Sequence, residues 1–441
     1  MKYSYKQIGL INYPVIMSIL MEQLINITDA IFLGHVGTTE LGASAIAGIY
    51  YMAIYMLGFG FSLGLQVLIA RRNGEQNYEA AGQTFFQGLF FLIALSVSLF
   101  FISNHYAPAL LKKLVSSDEI YQNVVRYLHW RNWSLLFTFP ALALRAFFVG
   151  ITHTRILTAS ALTAAVLNGL LNYLLIFGVG TIPPLGIAGA AIASSLSEWG
   201  ALSVLLFYVW QKVDKRKYGL FPCFRPRILR EVFQLSVWSM LHAFISVAPW
   251  LLFFIAIEHL GESQLAIANI IRSISTLFFV IVQSFGSTTG SLVSNLIGSG
   301  NAGEVMPLCR KIIRLGYAIG IPFILLACLF ARPLLGIYTP DSGLVGAAIA
   351  PLGVMLVNYL WAVPAYVYMN TVTGIGNTRL AFIFQVITIL FYLIYLYLLS
   401  ASFNVPLAVY WTAEHFFAAL LFVLSYCWLK GKWAKQIQSN R

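Results

Sequence analysis

The chain has 441 residues, 59% of them hydrophobic and only 10% charged, with a formal net charge of +12 at pH 7. A soluble domain carries about 25% charged residues, so this chain lacks the groups to coat a water-facing surface, and a bilayer is its natural solvent. The period-2 alternation of a membrane β-barrel is absent, which leaves an all-α integral membrane protein.

A spanning helix needs about 20 mostly apolar residues. Twelve such runs follow one another, at about 8–33, 42–70, 84–111, 122–149, 157–178, 187–211, 229–258, 264–297, 308–336, 344–373, 380–401 and 406–430. With the N-terminus taken as cytoplasmic, the opposite side holds only Lys112, Lys113 and Arg332 of the 27 basic residues, and Arg126, Arg131, Arg145 and Arg272 fall inside spans. The rest, from Lys2 to Arg441, line the N-terminal side, so both termini are expected in the cytoplasm. The basic excess is thus a topology signal with secondary contact to anionic lipid heads, and no nucleic-acid partner is expected. The first span is too long and too acidic for a cleaved signal peptide. Cys223, Cys309, Cys328 and Cys427 have neither metal-like nor paired spacing and read as free thiols. The longest connection, 212–228, is basic and carries Pro222 and Pro226. It divides the chain into a first lobe at 1–211 and a second at 229–441, six spans each.

The two halves resemble each other. "TFPALALRAFFVGITHTR" at 138–155 lies over "AVPAYVYMNTVTGIGNTR" at 362–379, matching Pro140 to Pro364, Gly150 to Gly374 and Arg155 to Arg379, an offset of 224. "GHVGTTEL" at 34–41 lies over "EHLGESQL" at 258–265 at that offset, matching His35 to His259 and Gly37 to Gly261. With a two-residue slip, "FGFSLGLQVLIARRNG" at 59–74 lies over "FGSTTGSLVSNLIGSG" at 285–300. An even number of spans per half gives both halves the same orientation. The expected architecture is two six-helix lobes related by a pseudo-two-fold axis along the membrane normal, with a substrate path between them opened to each side in turn.

Ionisable groups inside spans are expensive and functional by default. In "SILMEQLINITDAIFLG", Glu22, Asn26 and Asp29 share one helix face, extended a turn back by Ser18. The fifth span offers Asn168 and Asn172, and the sixth Ser194 and Glu198, each pair four residues apart. Carboxylate, amide and hydroxyl oxygens from these three spans can surround one small cation; buried Asn and Ser are also common interhelical glue. At the 224 offset Asp29 falls on Phe253, Asn168 on Tyr392 and Asn172 on Leu396, so the ionisable chemistry belongs mainly to the first half. The second half has Glu414 in its last span, and Tyr366 and Asn370 in the tenth with Arg272 in the eighth as candidates to line a substrate path. Arg131 and Arg272 can pair with internal acids, Glu198 among them, or face a water-filled vestibule, whereas Arg145 and Arg126 near span ends are expected to snorkel. Pro14, Pro140, Pro249 and Pro364 can kink helices. The glycine runs "GFGFSLG" and "FGSTTG" follow no strand and read as close helix packing.

No Ser-His-Asp, His-Glu-x-x-His or paired-cysteine constellation is present, so no enzyme is expected. The pattern "YPVIMSILMEQLINITDAIFLGHVG", together with "NGLLNYLLIFG", "PLGIAGAAIASSLSE" and "GIGNTR", resembles the multidrug and toxic compound extrusion (MATE) family over essentially the whole chain. It looks especially like members from Bacteroidetes-type bacteria. The resemblance implies a multi-pass protein of the bacterial inner membrane that exports small organic compounds, many of them cationic, in exchange for H⁺ or Na⁺. It implies no cofactor, and a monomer is expected. Its cation site would fall on Asp29, Asn168, Asn172 and Ser194. Two departures stand out. Many relatives carry an acid where Asn172 stands, and other members use acids in the seventh and tenth spans, where "MLHAFISVAPW" and "VNYLWAVPAYVYMN" have none. A second-half site would then rest on Glu414. The competing readings are a flippase for lipid-linked substrates, which should line its path with several cations, and a non-transporting membrane enzyme or sensor.

Overall fold

The computed structural model describes residues 2–115, 117–258, 260–339, 341–402, 405–433 and 435. His259 and Arg441, both used above, lie outside the described residues. Among the described residues every regular element is helical. This is the expected answer to a bilayer, where each backbone N–H and C=O must be satisfied within its own segment. Twelve stretches are long and apolar enough to cross a membrane, here called spans 1 to 12: Tyr5–Val36, Thr39–Gly74, Tyr78–Lys113, Asp118–Gly150, Arg155–Phe177, Ile187–Lys212, Pro226–Ile257, Ser263–Gly298, Ala302–Leu329, Ser342–Gly374, Thr378–Ala401 and Leu407–Gly431. Side-chain caps hold several of their ends. Asn77 accepts from the Ala80 N–H, Asp341 from Gly343 and Leu344, and Asn377 from Leu380.

Trp411 breaks span 12 close to its start, and three other described spans are interrupted within their length. A 3₁₀ turn at Asn132–Ser134 divides span 4, Asn358 divides span 10, and residues 246–247 divide span 7. Pro249 follows the last break in the first turn of the helix Ala248–Glu258, where its missing N–H would be unpaired in any case. Pro140 and Pro364 sit inside the helices that follow the other two breaks, not at the breaks themselves.

The repeat is visible in the element boundaries. Thr38–Gly74 and Glu262–Gly298 are both 37-residue helices, and Leu135–Gly150 and Tyr359–Gly374 are both 16-residue helices. All four pairs of ends are displaced by the same 224 residues. The two-residue slip read from the glycine runs is therefore absent. Two extra residues in a continuous helix would turn everything beyond them by more than half a revolution, and these helices have equal length. The uniform register also aligns two left-handed turns. Thr152 (φ 62) matches Gly376 (φ 98), and Gln76 (φ 59) matches Gly300 (φ 73).

The chain forms two compact units, one of residues 13–244 and one of residues 1–12 with 245–441. Compactness thus divides the chain inside spans 1 and 7, not along the connection 212–228. In the first of these units the glycine run of span 2 packs as its sequence suggested. A Cβ at Gly60 would lie 2.5 Å from the Ser239 carbonyl oxygen, and one at Gly64 would lie 2.5 Å from Ser236 Cα. In the other unit a large apolar core includes fully buried Phe253, Tyr392 and Trp411.

Candidate functional site

Helix geometry sets Asp29 two turns beyond Glu22 on span 1, and packing of spans 1, 5 and 6 closes the site. Asp29 Oδ1 accepts from the side-chain amides of Asn168 (3.0 Å) and Asn172 (2.6 Å), and Oδ2 accepts from the Ser194 hydroxyl (2.8 Å). The ligands are cross-linked: the Asn168 amide also reaches Ser194 Oγ at 3.2 Å, and the Asn172 amide donates to Asn168 Oδ1 at 3.1 Å. Asn168 and Asn172 are fully buried and Ser194 is 1% exposed. Every donor on the carboxylate is neutral. The carbonyl oxygen Asn172 Oδ1 is buried and has no hydrogen-bond partner among the described residues. A buried unpaired acceptor is costly. Here it leaves one hard oxygen free beside a carboxylate, the donor chemistry that suits a proton or an alkali cation.

The other first-half candidates lie apart from this cage. Glu22, which shares the helix face, accepts from Arg145 Nη1 at 2.6 Å. Arg145 is thus inside the protein, 14% exposed, instead of snorkelling to an interface. The reason is that a carboxylate stands within its reach. Glu198 accepts from Arg131 Nη2 at 2.8 Å and from the Thr138 hydroxyl. The Arg131 guanidinium also lies 4.3 Å over the Tyr51 ring, and the Tyr51 hydroxyl contacts Ser134 Oγ at 2.6 Å. The four-residue spacing of Ser194 and Glu198 therefore serves two different clusters. Asn26 is exposed and does not join Asp29, while Ser18 is buried. Tyr51, Ser134 and Thr138 were not singled out in the sequence, because hydroxyls in apolar helices give no periodic signal.

The second-half positions are built differently. Phe253, at the place of Asp29, packs 4.7 Å from the Trp411 ring. Tyr392, at the place of Asn168, donates its hydroxyl to Glu414 Oε1 at 2.9 Å. Leu396 and Ala418, at the places of Asn172 and Ser194, are buried. An aromatic plug thus replaces the polar cage, with Glu414 reached through a tyrosine. Tyr366 meets Phe279 edge-on at 5.1 Å, and the Asn370 amide donates to the Tyr366 carbonyl at 2.8 Å. Arg272 is exposed, its guanidinium 5.1 Å from the Phe254 ring centroid. Among the described residues no group of three or more His, Cys, Asp or Glu is placed to hold a metal ion.

Twelve spans in a duplicated plan, with one intramembrane carboxylate caged by neutral donors, define a polytopic membrane transporter. The family model described as MatE matches residues 14–174 and 239–398, one stretch in each half, and the chain belongs to that family. Among its relatives, the probable multidrug resistance protein NorM of Idiomarina loihiensis is 23% identical over 385 residues, covering 86% of this chain and 82% of that one. The protein of the same description from Rhizobium meliloti is 25% identical over 386 residues, covering 85% and 82%. In fold, the chain is similar to the outward-facing structure of a multidrug resistance MATE family transporter of the MOP superfamily. That likeness has a TM-score of 0.91 at 18% identity and covers 99% of this chain and 97% of that one.

Proposed function

We propose that the protein is a secondary active exporter of small organic compounds, cationic ones among them, driven by inward flow of H⁺ or Na⁺, with Asp29 as the residue that takes the ion. The observation that carries this reading is the cage itself, a carboxylate held by three neutral donors beside the unpartnered carbonyl of Asn172. A proton on Asp29 converts one acceptor oxygen into a donor, and Asn172 Oδ1 is an acceptor in waiting. A sodium ion would instead be met by oxygens of Asp29, Asn172 and Ser194. Either event exchanges hydrogen bonds among spans 1, 5 and 6, so ion loading favours one packing of these spans over another. Glu22 and Glu198 already have guanidinium partners and act as fixed ion pairs. Glu414, whose described partner is the Tyr392 hydroxyl, is the second-half carboxylate open to a second ion.

The flippase reading is weaker. Of its two candidate cations, Arg131 is neutralised by Glu198, which leaves Arg272. We further infer a monomer in the bacterial inner membrane, and the basic-residue asymmetry supports both termini in the cytoplasm. The test is transport of a dye and drug panel in proteoliposomes under separately imposed H⁺ and Na⁺ gradients. Asp29→Asn is expected to abolish gradient-driven efflux while remaining folded and monodisperse. Wild-type efflux in that variant would remove the assignment.

A further inference from the structure

Arg310 and Arg314 lie one turn apart on the helix Val305–Leu329. Both are exposed, and neither guanidinium has an ion pair or hydrogen bond among the described residues. They border a groove of about 330 Å³ that they share with Tyr317, Trp361, Pro364 and Phe422. The groove follows from the sequence. Pro364 has no N–H, so the carbonyl of Leu360 loses its helical donor, and the Tyr317 hydroxyl takes it at 2.6 Å. Gly316 lets the two helices approach there: a Cβ at that position would lie 3.0 Å from Val363 Cγ1. The floor is aromatic, with the Phe422 ring 6.5 Å from Trp361 and 5.8 Å from Tyr368.

Depth and charge select the occupant. At 1.5 Å per residue, Arg310 and Arg314 lie about 8 and 14 Å along the helix from Val305, in the half of the span that the basic-residue asymmetry assigns to the cytoplasmic side. Two guanidiniums at that depth need a counterion, and the described protein residues supply none. Guanidinium pairs bind phosphate oxygens in a fork geometry, and basic pockets between spanning helices suit acidic lipid heads. We propose that this groove binds an anionic phospholipid, its phosphate between Arg310 and Arg314 and an acyl chain along Trp361 and Phe422. A soluble phosphate would leave the aromatic floor uncovered, and a zwitterionic head would bring its own cation against the arginines.

The test is native mass spectrometry of the full chain released from vesicles of equal phosphatidylglycerol and phosphatidylcholine. The wild type is expected to retain phosphatidylglycerol in preference to phosphatidylcholine. Arg310→Gln/Arg314→Gln should lose that preference by about thirtyfold, from the attraction of an acidic lipid to two cations. Arg216→Gln/Arg227→Gln, which removes two exposed charges of the connection, should leave it unchanged. Arg310→Lys/Arg314→Lys, which keeps the charge, should restore most of it and covers the case in which the glutamine variant fails to fold. Equal retention of both lipids by the wild type would overturn the proposal. So would an equal loss in the connection variant, or full displacement of the lipid by inorganic phosphate alone.

Discussion

Replacing Glu198 by Gln isolates what its half-buried ion pair with Arg131 contributes. Glu198 and Arg131 are 23% and 12% exposed, with 2.8 Å between Oε1 and Nη2. Unit charges about 4 Å apart attract by about 4 kcal/mol at an effective dielectric of 20. Removing one partner of a buried pair costs about 3–5 kcal/mol, because the other charge is left uncompensated. Arg131 is poorly placed to find another partner, since its Nη1 is already buried without one. The residual exposure argues for the lower end, so Glu198→Gln should destabilise the protein by about 3 kcal/mol. Arg131→Met should cost a similar amount, because the carboxylate would keep only the Thr138 hydroxyl. The double variant Arg131→Met/Glu198→Gln leaves no charge behind and should recover about half of the combined loss, a coupling of about 3 kcal/mol. Stepwise heating of detergent-solubilised protein, read by the monodisperse fraction on gel filtration, measures the order of the four proteins. Additive losses in the double variant would refute the reasoning. The same variant should still drive efflux from an ion gradient, since the proposed ion site is at Asp29.

Three further outcomes are expected. Thr152 adopts φ 62 where the matching turn has Gly376, and a left-handed β-branched residue costs about 1–2 kcal/mol, partly offset by the flexibility of glycine in the unfolded chain. Thr152→Gly should therefore raise the thermal midpoint by a degree or two, and a fall would count against the strain. Gly374→Ala would place a Cβ 2.6 Å from the Gly290 carbonyl oxygen, whereas a Cβ at Gly353 meets nothing within 4 Å. The first should lose about 1–3 kcal/mol in the same heating assay while Gly353→Ala stays near wild type, and equal behaviour would exclude close backbone packing at Gly374. For topology, a membrane-impermeant maleimide applied to intact cells should miss exposed Cys223 in the connection yet label Thr181→Cys between spans 5 and 6. Labelling of Cys223 would reverse the assigned orientation.

Some of this protein is dictated locally. Runs of apolar residues long enough for a bilayer can only be helices, and a helix fixes which of its residues share a face. The twelve spans were legible for that reason, as were the pairing of Asn168 with Asn172 and the repeat carried by Pro140/Pro364 and Gly150/Gly374. Facing is not pairing, however. Glu22 and Asp29 share a helix face, yet one meets Arg145 across 123 residues of chain while the other meets Asn172 across 143. Ser194 and Glu198 likewise part company within a single turn, and Asn26 between the two carboxylates is exposed. Rotation and tilt of each span are set by packing against its neighbours, which no one-dimensional period encodes. The same holds for the register of the glycine runs. Identical letters suggested a two-residue slip, and only the equal lengths of Thr38–Gly74 and Glu262–Gly298 removed it. The sequence by itself determined the solvent, the spans and the carboxylates that had to be accounted for. The tertiary structure decided which of them were neutralised by arginine and which one was left among neutral donors, because that choice depends on distances between helices far apart in the chain.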